Sequence, residues 1–168
     1  MALSTTFLAD LDAIYTSALD LSTTTNPLGF TRQISLATGT GAGQADKIFH
    51  DERTLTASSS ENLDLAGTLV DAFGATITFA RIKGIVVYAS PANTNNVLVG
   101  GAASNGFINW VGDTTDVIVV RPGGLFTLFA TDATAYVVTA STGDLLKVAN
   151  SGGTTSVTYD VVLIGASA

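Results

Sequence analysis

The chain contains no cysteine and only one histidine among its 168 residues. The absence of cysteine excludes disulfides, thiolate metal sites and thiol nucleophiles. Acid–base or metal chemistry needs several suitable groups that converge on one point, and a single histidine is a poor starting set for either. The composition therefore argues against an enzyme before any motif is considered.

Charge is also scarce, because charged residues make up 12% of the chain, whereas an average globular chain has roughly 25%. Fourteen acidic residues oppose seven basic ones, for a net charge of −7. Such a surface matches phosphate poorly, so we expect no nucleic-acid partner. The solvent-facing chemistry is Thr, Ser, Asn and Gly, which suits a chain packed against other subunits and equally suits any Thr-rich β-protein.

Long apolar runs are missing as well. No stretch of about 18 apolar residues occurs, so no membrane-spanning segment is expected. The N-terminus has no basic region, and Asp10 and Asp12 interrupt its apolar residues. It is therefore not expected to be a signal peptide.

The sequence does contain many short apolar runs, separated by Gly, Asn and Pro at intervals of about 8–12 residues. No helical pattern alternates with them, as a parallel sheet would require. The sequence therefore predicts an all-β fold, a jelly-roll-like β-sandwich of about nine short antiparallel strands. We expect this domain over residues 30–168, preceded by an N-terminal helix or arm in residues 1–29.

Two apolar runs, Val117–Val120 and Leu125–Ala130, are joined at Pro122-Gly123-Gly124. Pro followed by Gly favours a type II turn. Neither side of either run is polar, which predicts that both faces are covered. Because type II turns splay flat hairpins, this turn is interpreted as a possible corner at which the chain crosses between two sheets.

The last strand, residues 155–165, changes character along its length. Val157 through Leu163 supply one apolar side at every second residue. The other side begins with Thr158 and Asp160 and then becomes apolar at Val162 and Ile164.

Residues 4–21 follow a different pattern from the rest. Apolar residues recur there at three- and four-residue spacing, which predicts a helix with one apolar face. Ser4, Thr5 or Thr6 can cap it, and Asp10 and Asp12 lie early, where the helix dipole favours acids. Two placements remain open for this helix, on its own sandwich or as an arm on a neighbouring subunit. Its apolar residues are Phe7, Leu8, Leu11, Ile14, Tyr15, Ala18 and Leu19.

The sequence offers only weak signals for a catalytic, metal-binding or phosphate-binding site. His50 shares a strand face with Asp46, which predicts at most a surface or interface hydrogen bond. Asp113 and Asp116 supply too few carboxylates for a strong calcium site and are interpreted as a turn that bonds its own backbone. The glycines of residues 39–43 are interpreted as a flexible loop, because no helix follows them as in a phosphate cradle. We predict no catalytic residue, no metal site and no cofactor.

Several stretches resemble a family of small structural proteins of tailed bacteriophages that are associated with the capsid as decoration or cement proteins. The resemblance covers roughly residues 30–168 and depends on the order of the pieces. The matching stretches are IFHDERTL (48–55), LDLAG (63–67), DAFG (71–74), TFARIK (78–83), VGGA (99–102), RPGG (121–124), GDLLKVAN (143–150) and TYDVV (158–162).

The resemblance implies a non-enzymatic virion protein that binds the lattice of the major capsid protein and stabilises the head. It implies a position on the outer surface of the capsid after synthesis in the cytoplasm of the bacterial host, and a homotrimer by analogy with decoration proteins. It implies no catalytic residues. The candidate interface residues are Phe7, Leu11, Ile14, Tyr15 and Trp110.

Two other classes of function stay open at this point. One is a tail-fibre or receptor-binding module, in which Trp110 with Tyr88 or Tyr136 would form a platform for a sugar. The other is a small hydrolase or other enzyme, for which an activity that depends on His50 would be required.

Overall fold

The computed structural model describes residues 2–168, which form strands and connecting turns without a helix. Over this range no helix is long and apolar enough to cross a membrane. The strands are β1 (Thr5–Ala18), β2 (Thr23–Thr38), β3 (Gln44–Ala45), β4 (Lys47–Leu55), β5 (Ser60–Asp64), β6 (Arg81–Ala89), β7 (Val97–Gly100), β8 (Val117–Val120), β9 (Leu125–Phe129), β10 (Tyr136–Val137), β11 (Leu145–Asn150) and β12 (Val157–Ala166).

Two antiparallel sheets form the body of the protein. One has the order β10-β6-β12-β4, with β9 also paired to β6, and the other has the order β5-β11-β7-β8. Their inner faces supply one contiguous buried core, to which β12 contributes every second residue from Val157 to Leu163. The all-β, sandwich-like fold expected from the short apolar runs is therefore confirmed.

One polar contact ties the two sheets together through the core. The hydroxyl of Tyr159 on β12 donates a hydrogen bond to Oε1 of Glu61 on β5 at 2.7 Å. Burial, with the Glu61 carboxylate as a further cause, raises the pKa of Tyr159 well above its ordinary value. The phenol therefore stays neutral and acts as a hydrogen-bond donor between the sheets.

The turn at residues 121–124 is the corner that the sequence suggested. β8 pairs with β7 in one sheet, and β9 pairs with β6 in the other. Gly123 has φ +74°, and the amide of Gly124 donates to the carbonyl of Arg121 at 2.7 Å, as a type II turn requires.

The prediction that both faces of this pair are covered is wrong for β8 and for the start of β9, where Leu125 is 62% exposed. Val117 and Val119 point away from the core and are 39% and 54% exposed. In a sandwich of two sheets a strand meets the facing sheet with its inner face only, and the outer face of β8 is not covered by another part of the chain that the structure describes.

The helix predicted for residues 4–21 is not found, because these residues form β1 and pair with β2 along its whole length. Periodicity alone could not show that the segment after residue 22 is its partner. Pro27 lies opposite Ile14, in a part of β2 that pairs only with β1. Proline is tolerated there because the position of its missing N–H group can face solvent.

The hairpin of β1 and β2 explains the changing character of the last strand. The end of the hairpin next to the body, which includes Leu3, Ile34 and Leu36, packs on the outer face of the sheet that contains β12. It lies over Ile164 and Val162. The outer side of β12 is thus apolar where the hairpin covers it and polar at Thr158 and Asp160, where it does not. β2 also runs through position 29/30, at which the sequence had suggested a boundary between arm and body.

Glycine at position 165 is required by close packing. A Cβ there would lie 2.3 Å from the carbonyl oxygen of Arg81 and 2.6 Å from the ring of Phe79. We expect Gly165→Ala to lower the free energy of unfolding by about 1–3 kcal/mol in urea denaturation.

Gly29→Ala is the matched control, because a Cβ at that exposed position of β2 meets only Oδ1 of Asp12 at 3.5 Å. We expect its unfolding free energy to stay within about 0.5 kcal/mol of the parent. Equal effects of the two substitutions would contradict the packing described at Gly165.

Candidate interaction surface

The most unusual feature of the molecule is the hairpin of β1 and β2, which we call the arm. Its base, residues 3–9 and 34–38, packs on the body, whereas its free end comprises residues 10–33. Every residue of the free end is exposed. Its nine cross-strand pairs, from Asp10 opposite Thr31 to Ala18 opposite Thr23, correspond to a length of about 30 Å.

The arm has two chemically different faces, because successive side chains of a strand point to opposite sides. The register places the odd-numbered residues of β1 beside the even-numbered residues of β2. We call this side the apolar face, and it carries Phe7, Ala9, Leu11, Ala13 and Tyr15 of β1 and Leu28, Phe30, Arg32, Ile34 and Leu36 of β2.

The opposite, polar face carries the acids of the arm's strands. Asp10 and Asp12 lie there, and Oδ1 of Asp10 accepts a hydrogen bond from the hydroxyl of Thr31 at 2.6 Å. Leu8 and Ile14 are the large apolar residues of β1 on this face. The third acid of the arm, Asp20, lies in the loop at the tip.

Aromatic and aliphatic contacts hold the base to the body. Phe7 stacks on Phe129 of β9 with ring centroids 4.4 Å apart and an interplanar angle of 25°. Leu36 is buried in a cluster with Ala45 and Ile164. The hydroxyl of Thr38 donates to the carbonyl of Leu3 at 2.6 Å and closes the end of the hairpin.

The structure places the candidate interface residues in four different surroundings. Leu11 and Tyr15 lie on the apolar face of the free end and are 55% and 77% exposed. Phe7 shares their face but belongs to the base, and Ile14 lies on the polar face. Trp110 lies in the body and is not part of the arm.

Trp110 is used for packing. Its indole lies against Phe126, with ring centroids 5.6 Å apart, and Nε1 donates to the carbonyl of Phe107 at 2.8 Å. The side chain is half-buried at the edge of the core. Both its ring and its polar group are therefore engaged within the chain.

Asp46 and His50 share no hydrogen bond within the described part of the chain. The carboxylate of Asp46 instead accepts two hydrogen bonds from Ser167, from the backbone amide at 2.8 Å and from the hydroxyl. His50 is exposed on β4 opposite Val162 of β12. Among the described residues, no group of three or more His, Asp and Glu side chains is placed to hold a metal ion.

The loop at residues 112–116 bonds its own backbone, as expected. Oδ2 of Asp116 accepts hydrogen bonds from the amides of Gly112 and Asp113 at 3.0 and 2.8 Å. Oδ1 of Asp113 accepts from the amide and hydroxyl of Thr115, each at 3.0 Å. These donors lower the pKa of Asp113, because they favour its charged form.

No local sequence pattern indicates the role of Lys83, whose side chain is fully buried. Its Nζ donates to the carbonyls of Asp132 and, at 3.4 Å, of Gly41. Burial lowers the pKa of Lys83, and the nearby carboxylate of Asp132 opposes that effect. The glycine loop of residues 39–43 is thus held by a cation and is also capped by Gln44, whose Oε1 accepts from the amide of Gly41 at 2.9 Å.

Comparisons with protein-family models, with curated proteins and with solved structures found no match to this chain. The resemblance to phage structural proteins therefore stays a prediction. The surface of the molecule, above all the free end of the arm, is then the remaining guide to function.

The account of the base can be tested by hydrogen exchange in dilute solution. Phe7→Ala removes the ring stacked on Phe129, and such pairs contribute about 0.5–1.5 kcal/mol beyond their buried area. We expect faster exchange at the amides of residues 5–9, with little change in the body.

Ile14→Ala serves as the matched control, because Ile14 lies on the polar face of the free end and is 71% exposed. We expect exchange at the base to be unchanged in this variant. Full protection of the base in Phe7→Ala would show that the stacked pair does not anchor the arm.

Proposed function

We propose that this chain is a non-enzymatic structural protein of a tailed-bacteriophage virion, a decoration or cement protein of the capsid. In this proposal it binds the lattice of the major capsid protein on the outer surface of the head and stabilises it. A homotrimer and a jelly-roll form of the sandwich belong to the same proposal. The arm reaches across an interface to a neighbouring subunit.

The observation that carries the proposal is the exposure of the free end of the arm. An isolated two-stranded hairpin is at best marginally stable in water. The free end has no support from the body on either face, yet it displays Leu11, Tyr15, Leu28 and Phe30 on one side. Contiguous exposed apolar surface of this kind is typical of a protein–protein contact. An assembly that covers the apolar face would supply the missing support.

The low charge of the chain also favours a role in a lattice. Many copies must lie close together on a capsid, and a low charge density limits their mutual repulsion. The lattice also multiplies weak contacts through avidity, so that no single deep site is needed.

A receptor-binding module with a sugar platform at Trp110 is the less favoured candidate. The indole packs on Phe126 and uses its N–H group within the chain. A sugar platform would instead need a free aromatic face.

The test is co-sedimentation of the purified chain with assembled heads of the parent phage that lack this protein. We expect saturable binding to heads and none to isolated tails. A second experiment uses a shortened variant in which residues 11–30 are replaced by Asn-Gly. This dipeptide favours a tight hairpin turn between Asp10 and Thr31. The base is kept in this variant, and we expect its affinity for heads to fall at least tenfold.

Val119→Thr is the control for a loss of exposed apolar surface elsewhere, because Val119 is 54% exposed on the body. We expect it to bind heads like the parent chain. Binding to tails alone, or to neither particle, would refute the capsid proposal. Unchanged binding of the shortened variant would show that the free end of the arm does not contribute to binding to heads.

A further inference from the structure

The charge on the apolar face of the arm is positive. The carboxylates of Asp10 and Asp12 lie on the polar face, and the charged residue of the apolar face is Arg32. Its guanidinium lies 4.5 Å above the centre of the Phe30 ring, so the cation is presented beside an exposed aromatic group. The salt bridges found within residues 2–168 involve Arg53 and leave Arg32 without a carboxylate partner.

The outer face of the sheet under the base offers the opposite charge. The cross-strand register places four residues side by side in one row across β9, β6, β12 and β4. We call this the acceptor row, and it consists of Leu125, Tyr88, Asp160 and Glu52.

The two carboxylates of the acceptor row face each other. Asp160 and Glu52 are directly opposite on β12 and β4, and both are exposed. Like charges in this position destabilise a sheet, and neither forms a salt bridge within the described chain. The row therefore lacks a cation, while its other half, Leu125 and Tyr88, presents apolar surface.

The acceptor row continues a surface that already binds an arm. Four residues further along these strands, the corresponding row contains Phe129, Ile164 and Ile48, and the base of the chain's own arm covers it. The row between them contains Val86 and Val162, both half-buried. The same sheet face thus meets the base through apolar contacts and remains open towards the acceptor row.

The dimensions suit an exchange of arms between copies. A face about 30 Å long and two strands wide measures about 300 Å². If every copy gives one arm and receives one, as in a closed dimer or in the proposed homotrimer, each copy buries at most about 600 Å², compared with roughly 800 Å² per partner in a standard specific interface. Contact through a single arm would bury only half of that.

From these observations we infer that the arm of one copy docks on the acceptor row of a second copy of this chain, with Arg32 placed between Glu52 and Asp160. Phe30 and Leu28, which lie two and four residues from Arg32 along β2, then pack on Tyr88 and Leu125. A cation between the carboxylates relieves their repulsion, and the apolar face of the free end is covered. The inference builds on the proposed assembly function by naming the partner of the arm, but its test needs no capsid.

The test is sedimentation velocity of the full chain over a range of concentrations in the absence of heads. We expect the parent chain to self-associate and Arg32→Glu to weaken association at least tenfold. The triple variant Arg32→Glu, Glu52→Lys, Asp160→Lys reverses both sides of the contact and should restore association. Arg121→Glu is the matched control, because Arg121 is an exposed residue of the corner turn and the substitution makes the same change in charge.

A second measurement uses the absence of cysteine from the chain. A mixture of the full-length variants Arg32→Cys and Asp160→Cys, one of them isotope-labelled, should form a mixed disulfide under mild oxidation. Gln33→Cys is the control, because Gln33 lies next to Arg32 but on the polar face, and it should cross-link to Asp160→Cys much less.

Three results would overturn the inference. The parent chain could remain monomeric at all concentrations, Arg32→Glu could associate like the parent, or the triple variant could fail to recover. A monomer that nevertheless binds heads would overturn this inference and leave the capsid proposal standing, with the capsid protein as the partner of the arm. Circular dichroism of each variant establishes that the fold is retained.

Discussion

The packing of the arm base on the outer face of the sandwich is the contact on which the rest of the structure depends. Phe7 on Phe129 and Leu36 on Ile164 fix where the hairpin leaves the body. They also cover the part of β12 that would otherwise expose apolar residues on its outer side. Without this contact the molecule would be a small sandwich with a loose N-terminal segment, and with it the segment becomes a directed arm.

Alternation along the strands decides what the arm can do. The same side of the hairpin that is buried at the base continues, beyond the body, as the exposed apolar face. The acids are kept off that side by their positions in β1, so one face combines apolar groups with the single cation Arg32. The outer face of the sheet shows the complementary combination, with two unpaired carboxylates beside Tyr88 and Leu125. The acceptor row adjoins the part of the same sheet face that the base of the chain's own arm covers. The inferred exchange therefore extends to a second copy a contact that already exists within one chain.

Local sequence signals predicted the body well and the arm poorly. Pro122 and Gly123 indicated the corner between sheets because the required φ values are local properties, and the change noted at Val162 coincides with the end of β12 that the base of the arm covers. The arm was misread because Phe7, Leu11, Ile14 and Tyr15 fit a helical period, whereas the strand depends on pairing with residues 23–36. The opposition of Asp160 and Glu52, and the role of Lys83, depend on register between strands far apart in sequence and had no local signal.

The most direct test of the central claim, that the arm is an assembly element, is hydrogen exchange at residues 10–33 measured in dilute monomer and in the assembled state. The account predicts rapid exchange throughout the free end of the monomer and at least tenfold slower exchange after assembly, with the core strands unchanged. Strong protection of the free end in the monomer, or none in the assembly, would contradict it.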